Sequence, residues 1–379
     1  MRRTRRSLDA LLVIIALVLV SGVGLATPWI RAEAAPSPSP SVAVAPSATP
    51  SATPAPSVSP LVGTTYHLAP DGDDRAAGTA AKPWETIEHA ATKLKPGDTL
   101  EVAGGTYTRQ SVDWKASGSA NGPITVRAAA GARPVFDGDG VGHFAVIRGG
   151  AGYLVFDGLT ITGYDIVDDG IIVAMEGAHD LTFQNLRMTR NDGQDQRSHL
   201  IYLGSPDVHD VVIRANLLDG IEGGAIHLYH APNAQHVRIT DNVLRDSHWG
   251  VIVTSGATDV VIDHNTFIDN DVGVEMWDAT GVVVTNNLVT SDHGVGIRLQ
   301  ANAPLTEDYD LWQVKGVPFV IDADELDLPG WQTATGEGAH STVVAPGVPL
   351  IGSDLRVVPG SPAAGAAADG SDLGTRVFP

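Results

Sequence analysis

Apolar and polar positions alternate with a period of two over short runs from Tyr66 onward, and the runs themselves recur. An apolar residue, any residue, a second apolar residue, two further positions and an Asn appear at Val211–Asn216, Val237–Asn242, Val260–Asn265 and Val282–Asn287, with a copy one residue shorter at Leu181–Asn185. Successive Asn lie 31, 26, 23 and 22 residues apart, and a Gly-apolar run follows the last four at Gly224, Gly250, Gly273 and Gly296. Self-similarity at such a period marks a solenoid. Each unit holds period-two strands separated by Gly, Asn and Asp with no helical pattern between them, so the coils are expected to be all strand and stacked in parallel. The predicted fold is all-β, a single-stranded parallel β-helix over residues 62–379.

Asn suits a stacked turn because it tolerates left-handed backbone angles and its amide can bond the same residue one coil away, so the Asn column is read as structural. Further strands are expected at Tyr66–Ala69, Thr99–Val102, Ile124–Arg127, Phe144–Ile147, Tyr153–Phe156 and Ile171–Val173. Between the first two, Trp84, Ile87, Ala90, Ala91 and Leu94 fall at helical spacing, which predicts a capping helix over 84–95 that covers the exposed first coil. After Asn302 the period breaks, and 303–379 is expected to be an irregular closing region, with strands at Asp308–Val314 and Asp354–Val358.

The ends and the charge change the picture next. Arg2, Arg3, Arg5 and Arg6 precede an apolar run from Leu11 to Val20, and small residues follow near Ala26 and Ala32–Ala34. Residues 1–34 therefore read as an export signal, with an uncleaved membrane anchor as the alternative. Residues 35–61 are almost wholly Pro, Ser, Ala, Thr and Val and read as an extended spacer. The expected location is extracellular, secreted or tethered to the outer face of the membrane. The chain has 379 residues, no Cys and a formal charge of −20. Absent Cys excludes disulfides but not export, since stacked coils stabilise themselves. The charge excludes a nucleic-acid partner and repels anionic polysaccharide too, unless local Arg or a cation reverses the sign; its plainest role is solubility.

The segments His67–Gly72, Gly78–Ile87, Pro96–Leu100 and Gly105–Tyr107, with Asp308–Trp312, Ser353–Ala363 and Asp372–Gly374 at the other end, resemble the secreted right-handed parallel β-helix proteins of the pectate-lyase-like superfamily. The likeness covers about residues 64–379. It implies a right-handed helix and a glycan partner, but not one reaction, because the superfamily includes polysaccharide lyases, glycoside hydrolases, uronan epimerases and non-catalytic surface proteins.

Candidate chemistry sits where an outward polar residue interrupts an apolar strand, since equivalent positions form a column from coil to coil. In the strand after each Gly these are Tyr202, His227 with Tyr229, Glu275 with Trp277, and Arg298 with Gln300; His199 lies just upstream, and His248 and Trp249 precede an apolar strand. Aromatic faces stack on sugars, Arg pairs with carboxylates, and His or Tyr moves protons near neutral pH. The expected catalytic residues are therefore Tyr202, His227, His199 and His248, and the expected substrate-binding residues Arg197, Tyr229, Trp249, Glu275, Trp277 and Arg298. Against this stands a plain surface role, with Trp277 covering a turn and Glu275–Arg298 a cross-coil ion pair. Counted from the Asn, Ile226 rather than His227 aligns with Glu275, so one coil carries an extra residue or His227 faces inward.

Asp192 and Asp195, in the long polar loop before His199, are candidate oxygen ligands for Ca²⁺ or members of an ordinary Asx-rich turn. No organic cofactor is expected. Several lyases of the superfamily pair Ca²⁺ with a Lys or Arg base, yet no Lys occurs between Lys115 and Lys315, so a Lys base on the central coils is ruled out. The clustered Asp of polygalacturonase-type hydrolases is also missing, and Glu275 stands alone where hydrolysis usually needs two carboxylates. The expectation is a monomeric polysaccharide lyase-like protein that cleaves a uronate-containing glycan by β-elimination. A glycan-binding or adhesion solenoid, or a hydrolase or epimerase, is the alternative.

Overall fold

The structure is a computed structural model that describes residues 59–377 apart from 205–206, 230–234, 255 and 301–302. The expected export segment and all but the last residues of the spacer lie outside the described residues. No helix among the described residues is long and apolar enough to cross a membrane.

The chain winds as a parallel β-solenoid. Ten strands, one per coil, form a first sheet from Thr65–Leu68 to Leu305–Asp308, and the strands of the other two faces join into one continuous ladder. They join because Leu217–Leu228 and Val243–Thr254 turn the corner without breaking. Alternation decides the facing: Gly152–Asp157 runs buried and half-buried by turns, and on the central coils pairs of apolar residues such as Val211 and Ile213 point inward with no exposure. Inside, equivalent side chains stack. Phe156 lies on Phe183 with ring centroids 5.8 Å apart, and Tyr107 on Phe136 at 4.8 Å. Emptying one such aromatic position costs about 3–5 kcal/mol in a close-packed interior.

The Asn column is built as a hydrogen-bonded ladder inside the turn. Asn216, Asn242, Asn265 and Asn287 are fully buried. Asn216 Nδ2 donates to Asn242 Oδ1 at 2.9 Å and to the Phe183 carbonyl at 3.0 Å, while its backbone N–H donates to the same Asn242 Oδ1 at 3.0 Å. The pattern repeats from Asn242 to Asn265 and from Asn265 to Asn287. Two details differ from the sequence expectation. The left-handed backbone angles belong to the residue before each Asn: Ala215, Asp241, His264 and Asn286 have φ between 53° and 59°. Asn185, φ 53°, takes that same position and is not in the column; Leu186 is, and only its backbone N–H reaches Asn216 Oδ1, at 2.8 Å.

The column also runs one step further than the Asn do. Asp310 Oδ1 accepts from Asn287 Nδ2 at 2.9 Å and from the Asn287 backbone N–H at 2.6 Å, so an Asp continues the ladder where the sequence pattern stops. The expected irregular region therefore begins with another regular coil, Leu305–Asp308, Leu311–Val314 and Val317–Ile321, each paired in parallel with the coil before. Helix Leu328–Thr335 closes that end, with Trp331 stacked on Phe319 at 4.7 Å and its indole N–H on Glu307. Residues 354–358 form no strand beyond a single bridge between Ile351 and Val357. The last residues run back along the turns: Leu373 packs with Leu288 and Leu311, and Arg376 grips Asp241 through two bonds of 2.9 Å.

At the opposite end the capping helix spans only Ile87–Ala91. Trp84 is extended, bridging to Leu68 and stacked on Tyr66 at 4.6 Å, and Thr86 caps the helix by accepting from the His89 N–H. Pro96 disfavours helical angles at Lys95, whose N–H turns instead to Asp98. Trp84, Ile87, Ala90, Ala91 and Leu94 are nonetheless all buried over the first coil.

Candidate functional site

One ladder of the solenoid lines up the outward positions. Tyr202 pairs with His227, His227 with Ile252, Ile252 with Glu275 and Glu275 with Arg298. His227 thus shares the column, and the extra residue in its coil is absorbed between Ile221 and Gly224, where the register shifts. Trp277, next on the same face, pairs with Thr254 and is half-buried.

Three groups of side chains result. The first joins His199, His227, Tyr202 and Tyr229. The Gly224 N–H donates to His199 Nδ1 at 2.9 Å, and His199 Nε2 lies 2.8 Å from His227 Nδ1. A backbone N–H can only donate, so His199 carries its proton on Nε2 and donates a hydrogen bond to His227 Nδ1, which leaves the His227 proton on Nε2. That N–H has no partner among the described residues. Burial pushes His199 down to about 4, and burial together with His199 lowers His227 as well. Both rings are neutral at pH 7 and neither offers a free lone pair. Burial, then the nearby Asp169, raises the Tyr202 phenol, so it keeps its proton. In this wiring neither imidazole has a free lone pair with which to act as a base; of the expected proton-moving residues, His227 can donate through Nε2–H and the Tyr202 hydroxyl can donate or accept a hydrogen bond.

In the second group the Trp249 indole N–H donates to Glu275 Oε2, and Arg298 Nη1 donates to the same oxygen at 3.2 Å. Glu275 thus holds a Trp ring and a guanidinium that stays partly exposed.

The third group centres on His248. Its Nδ1 lies 2.6 Å from Asp271 Oδ2, its Nε2 lies 3.1 Å from the Gln196 side-chain nitrogen, and its ring sits edge-on to Trp249 with centroids 4.0 Å apart. The His248 hydrogen bond leads the causes that lower the Asp271 carboxyl, against desolvation, so the carboxylate is charged and orients the ring with Nδ1–H toward it. The Gln196 amide donates to Nε2, which marks that atom as an acceptor. His293 Nε2 reaches the other oxygen of Asp271 at 3.0 Å. Asp271, His293 and Gln196 were not anticipated. The signal was present: Asp271 stands two residues before Gly273 as His248 stands two before Gly250.

Arg197 lies apart from these groups, bound to Asp195 at 2.9 Å and Asp168 at 3.1 Å. Its guanidinium occupies the place a cation would take, and Asp192 pairs along the backbone with Asp165. These residues do not fit a Ca²⁺ ion, and no group of three or more His, Asp or Glu among the described residues is arranged to hold a metal. Arg245 is engaged by Asp219 at 2.7 Å.

Residues 66–200 match the family described as Pel9A-like, right handed beta helix region, and residues 155–308 match the family of periplasmic copper-binding protein (NosD). The crystal structure of pectate lyase Pel9A superposes with a TM-score of 0.53 at 15% identity, covering 84% of this chain and 98% of that one. The fold of this chain is the right-handed parallel β-helix that the matched family model describes. A structure described as a glycoside hydrolase superposes at 0.52 with 10% identity over 75% of this chain and 96% of its own. In sequence, the uncharacterized protein YwoF of Bacillus subtilis is 28% identical over 62% of this chain, and pectate lyase PEL9 of Emericella nidulans is 38% identical over 19% of it. The chain spans 64% of the length of YwoF and 18% of the fungal protein. The fold is thus one that carbohydrate-active lyases and hydrolases share.

Proposed function

We propose that this protein is an exported, carbohydrate-active β-helix that cleaves a uronate-containing polysaccharide by β-elimination. The observation that carries the reading is the His248 imidazole, held by Asp271 with Nε2 as acceptor beside the Trp249–Glu275–Arg298 group. An imidazole ordered by a carboxylate is suited to general-base work near neutral pH. In this reading Arg298 pairs with the uronate carboxylate and so eases loss of the C5 proton next to it. Once substrate displaces the exposed Gln196 amide from it, His248 Nε2 takes that proton, the electron pair becomes the C4–C5 double bond, the C4–O bond breaks, and the departing oxygen takes a proton from water. Trp249 and Trp277 support sugar rings, while the His227 N–H and the Tyr202 hydroxyl donate to sugar oxygens. The Arg-rich, apolar N-terminal sequence and the Pro/Ser spacer support a location outside the cytoplasm, and the glycan is the partner.

The test is ultraviolet absorbance of unsaturated uronide across a panel of uronate polymers, with and without Ca²⁺. The wild type releases product on at least one polymer, and His248→Ala lowers the rate about 10²- to 10⁴-fold. No product on any uronate polymer sinks the reading. Polymer shortening without absorbance means hydrolysis, and solvent exchange at C5 without shortening means epimerisation. Retention of glycan without release means a binding solenoid, the alternative that the acidic field and the neutral, locked His199–His227 pair favour.

A further inference from the structure

The first sheet carries a cavity of about 420 Å³ on its outer face, on a different sheet from His248 and Arg298. Its floor is a stripe of β-branched side chains, Val155, Thr182 and Val212, in register on three successive coils. The Ser119–Pro123 turn walls one end, and Arg238, one coil further, walls the other. From the Tyr153 coil to the Arg238 coil is three coil spacings, about 14 Å at about 4.8 Å each.

Polar groups rim this apolar floor. The Tyr153 ring stands edge-on to His179, with centroids 5.2 Å apart, and His179 is stacked on His209 at 5.2 Å, so the ring is braced from behind. Asp180 Oδ2 is 2.7 Å from His179 Nδ1, which leaves Oδ1 as an acceptor. Asp210 takes His209 on one oxygen at 2.6 Å and His236 on the other at 3.2 Å. Arg238 is neutralised by Asp259 at 3.0 Å. The Asp180, Asp210 and Arg238 side chains are all between 35% and 43% exposed, within reach of a ligand.

We propose that this cavity is a second glycan-binding site, one that takes a neutral oligosaccharide. A pyranose has one apolar face and a rim of hydroxyls. The Val–Thr–Val stripe and the braced Tyr153 ring match the first, and carboxylate oxygens that accept from vicinal hydroxyls match the second. Asp180 and Asp210 line the cavity while Arg238 is already paired with Asp259, so in a chain of charge −20 the site repels a uronate, discriminates by charge and differs in ligand from the Arg298 site. A volume near 420 Å³ is ordinary for a small-molecule site and suits a short saccharide. The site would hold a neutral glycan beside the acidic polymer, and it does not depend on the lyase reading.

The experiment is titration calorimetry on the full-length protein with neutral oligosaccharides of two to four residues from glucan, xylan, mannan and galactan series. Trigalacturonate serves as the acidic probe. At least one neutral series binds with one site per chain. Thr182→Trp, which fills the floor, weakens it at least about tenfold and leaves uronide release unchanged, and Tyr153→Ala does the same. His248→Ala leaves neutral binding intact, which separates this site from the first. Thermal unfolding checks each variant, and Tyr153→Phe, which keeps the ring, binds as the wild type does. Absence of neutral binding, neutral binding insensitive to Thr182→Trp in a folded variant, or trigalacturonate binding that Thr182→Trp abolishes would each overturn the proposal.

Discussion

Two columns run along this solenoid, and they use the same coil period to opposite ends. In the Asn part of the turn column the side chains are spent on their neighbours: Asn216, Asn242, Asn265 and Asn287 are buried, and each side chain bonds both an equivalent side chain and the backbone of the adjacent coils. In the ladder column the occupants change from coil to coil, from Tyr202 to His227, Ile252, Glu275 and Arg298, and some polar capacity is left over, notably the His227 Nε2–H. Repetition builds stability because each group meets its own complement one coil away; variation builds a site because it leaves groups that only another molecule can satisfy.

The largest test of that contrast is Asn242→Ala. It strips Asn216 of its backbone acceptor and leaves the Ile213 carbonyl without its donor, so the protein should lose about 3–5 kcal/mol in urea unfolding. A loss under about 1 kcal/mol would mean that the turn column is no more structural than the ladder.

Acid should attack the ladder column first. His199 has a depressed folded value, about 4 against 6.5, so its contribution is complete above 6.5 and disappears as pH falls toward 4. This one group is worth on the order of 3 kcal/mol by linkage, with His227 adding in the same direction. Urea unfolding at pH 7 and pH 4.5 measures it, and equal stability at the two values would contradict the buried neutral pair.

Asp310 carries the opposite sign. Burial, then Glu307, raises its carboxyl well above the ordinary range, so its favourable contribution is present at low pH and lost as pH rises through that raised value. Asp310→Asn completes the ladder without a titrating group and should gain about 1 kcal/mol at pH 8 while flattening the alkaline side of the profile. A destabilised variant at that pH would show that the acid form matters for more than its place in the column.

The smallest effect on folding falls on the pair that matters most for the proposed chemistry. Arg298→Ala removes a part-exposed ion pair and should change stability by less than about 1 kcal/mol, yet it should lower uronide release by at least about a hundredfold. Equal losses in both measurements would make Arg298 a surface brace.

Much of this was legible along the chain because a solenoid converts a linear period into a spatial column. The Asn repeat gave the coil, and the alternation around Tyr202, Glu275 and Arg298 gave the outward face. What escaped had physical causes. Asp310 supports the same ladder as Asn through one oxygen, so the pattern looked broken where the coil continued. Asp271 lies in a bend rather than a strand, where period two does not apply, so its bond to His248 was invisible. The capping helix was overextended because Trp84 and Leu94 are buried at helical spacing without being helical.

The sequence by itself determined that the chain coils, which residues face inward and which polar residues share an outward column, because alternation and period are local properties. Only the tertiary structure decided the protonation wiring of Gly224, His199 and His227, the neutralisation of Arg197 by Asp168 and Asp195, and the cavity beneath Tyr153. Those depend on side-chain direction and on contacts between coils 20 to 30 residues apart, and distance along the chain carries no record of which atom of a ring meets which neighbour.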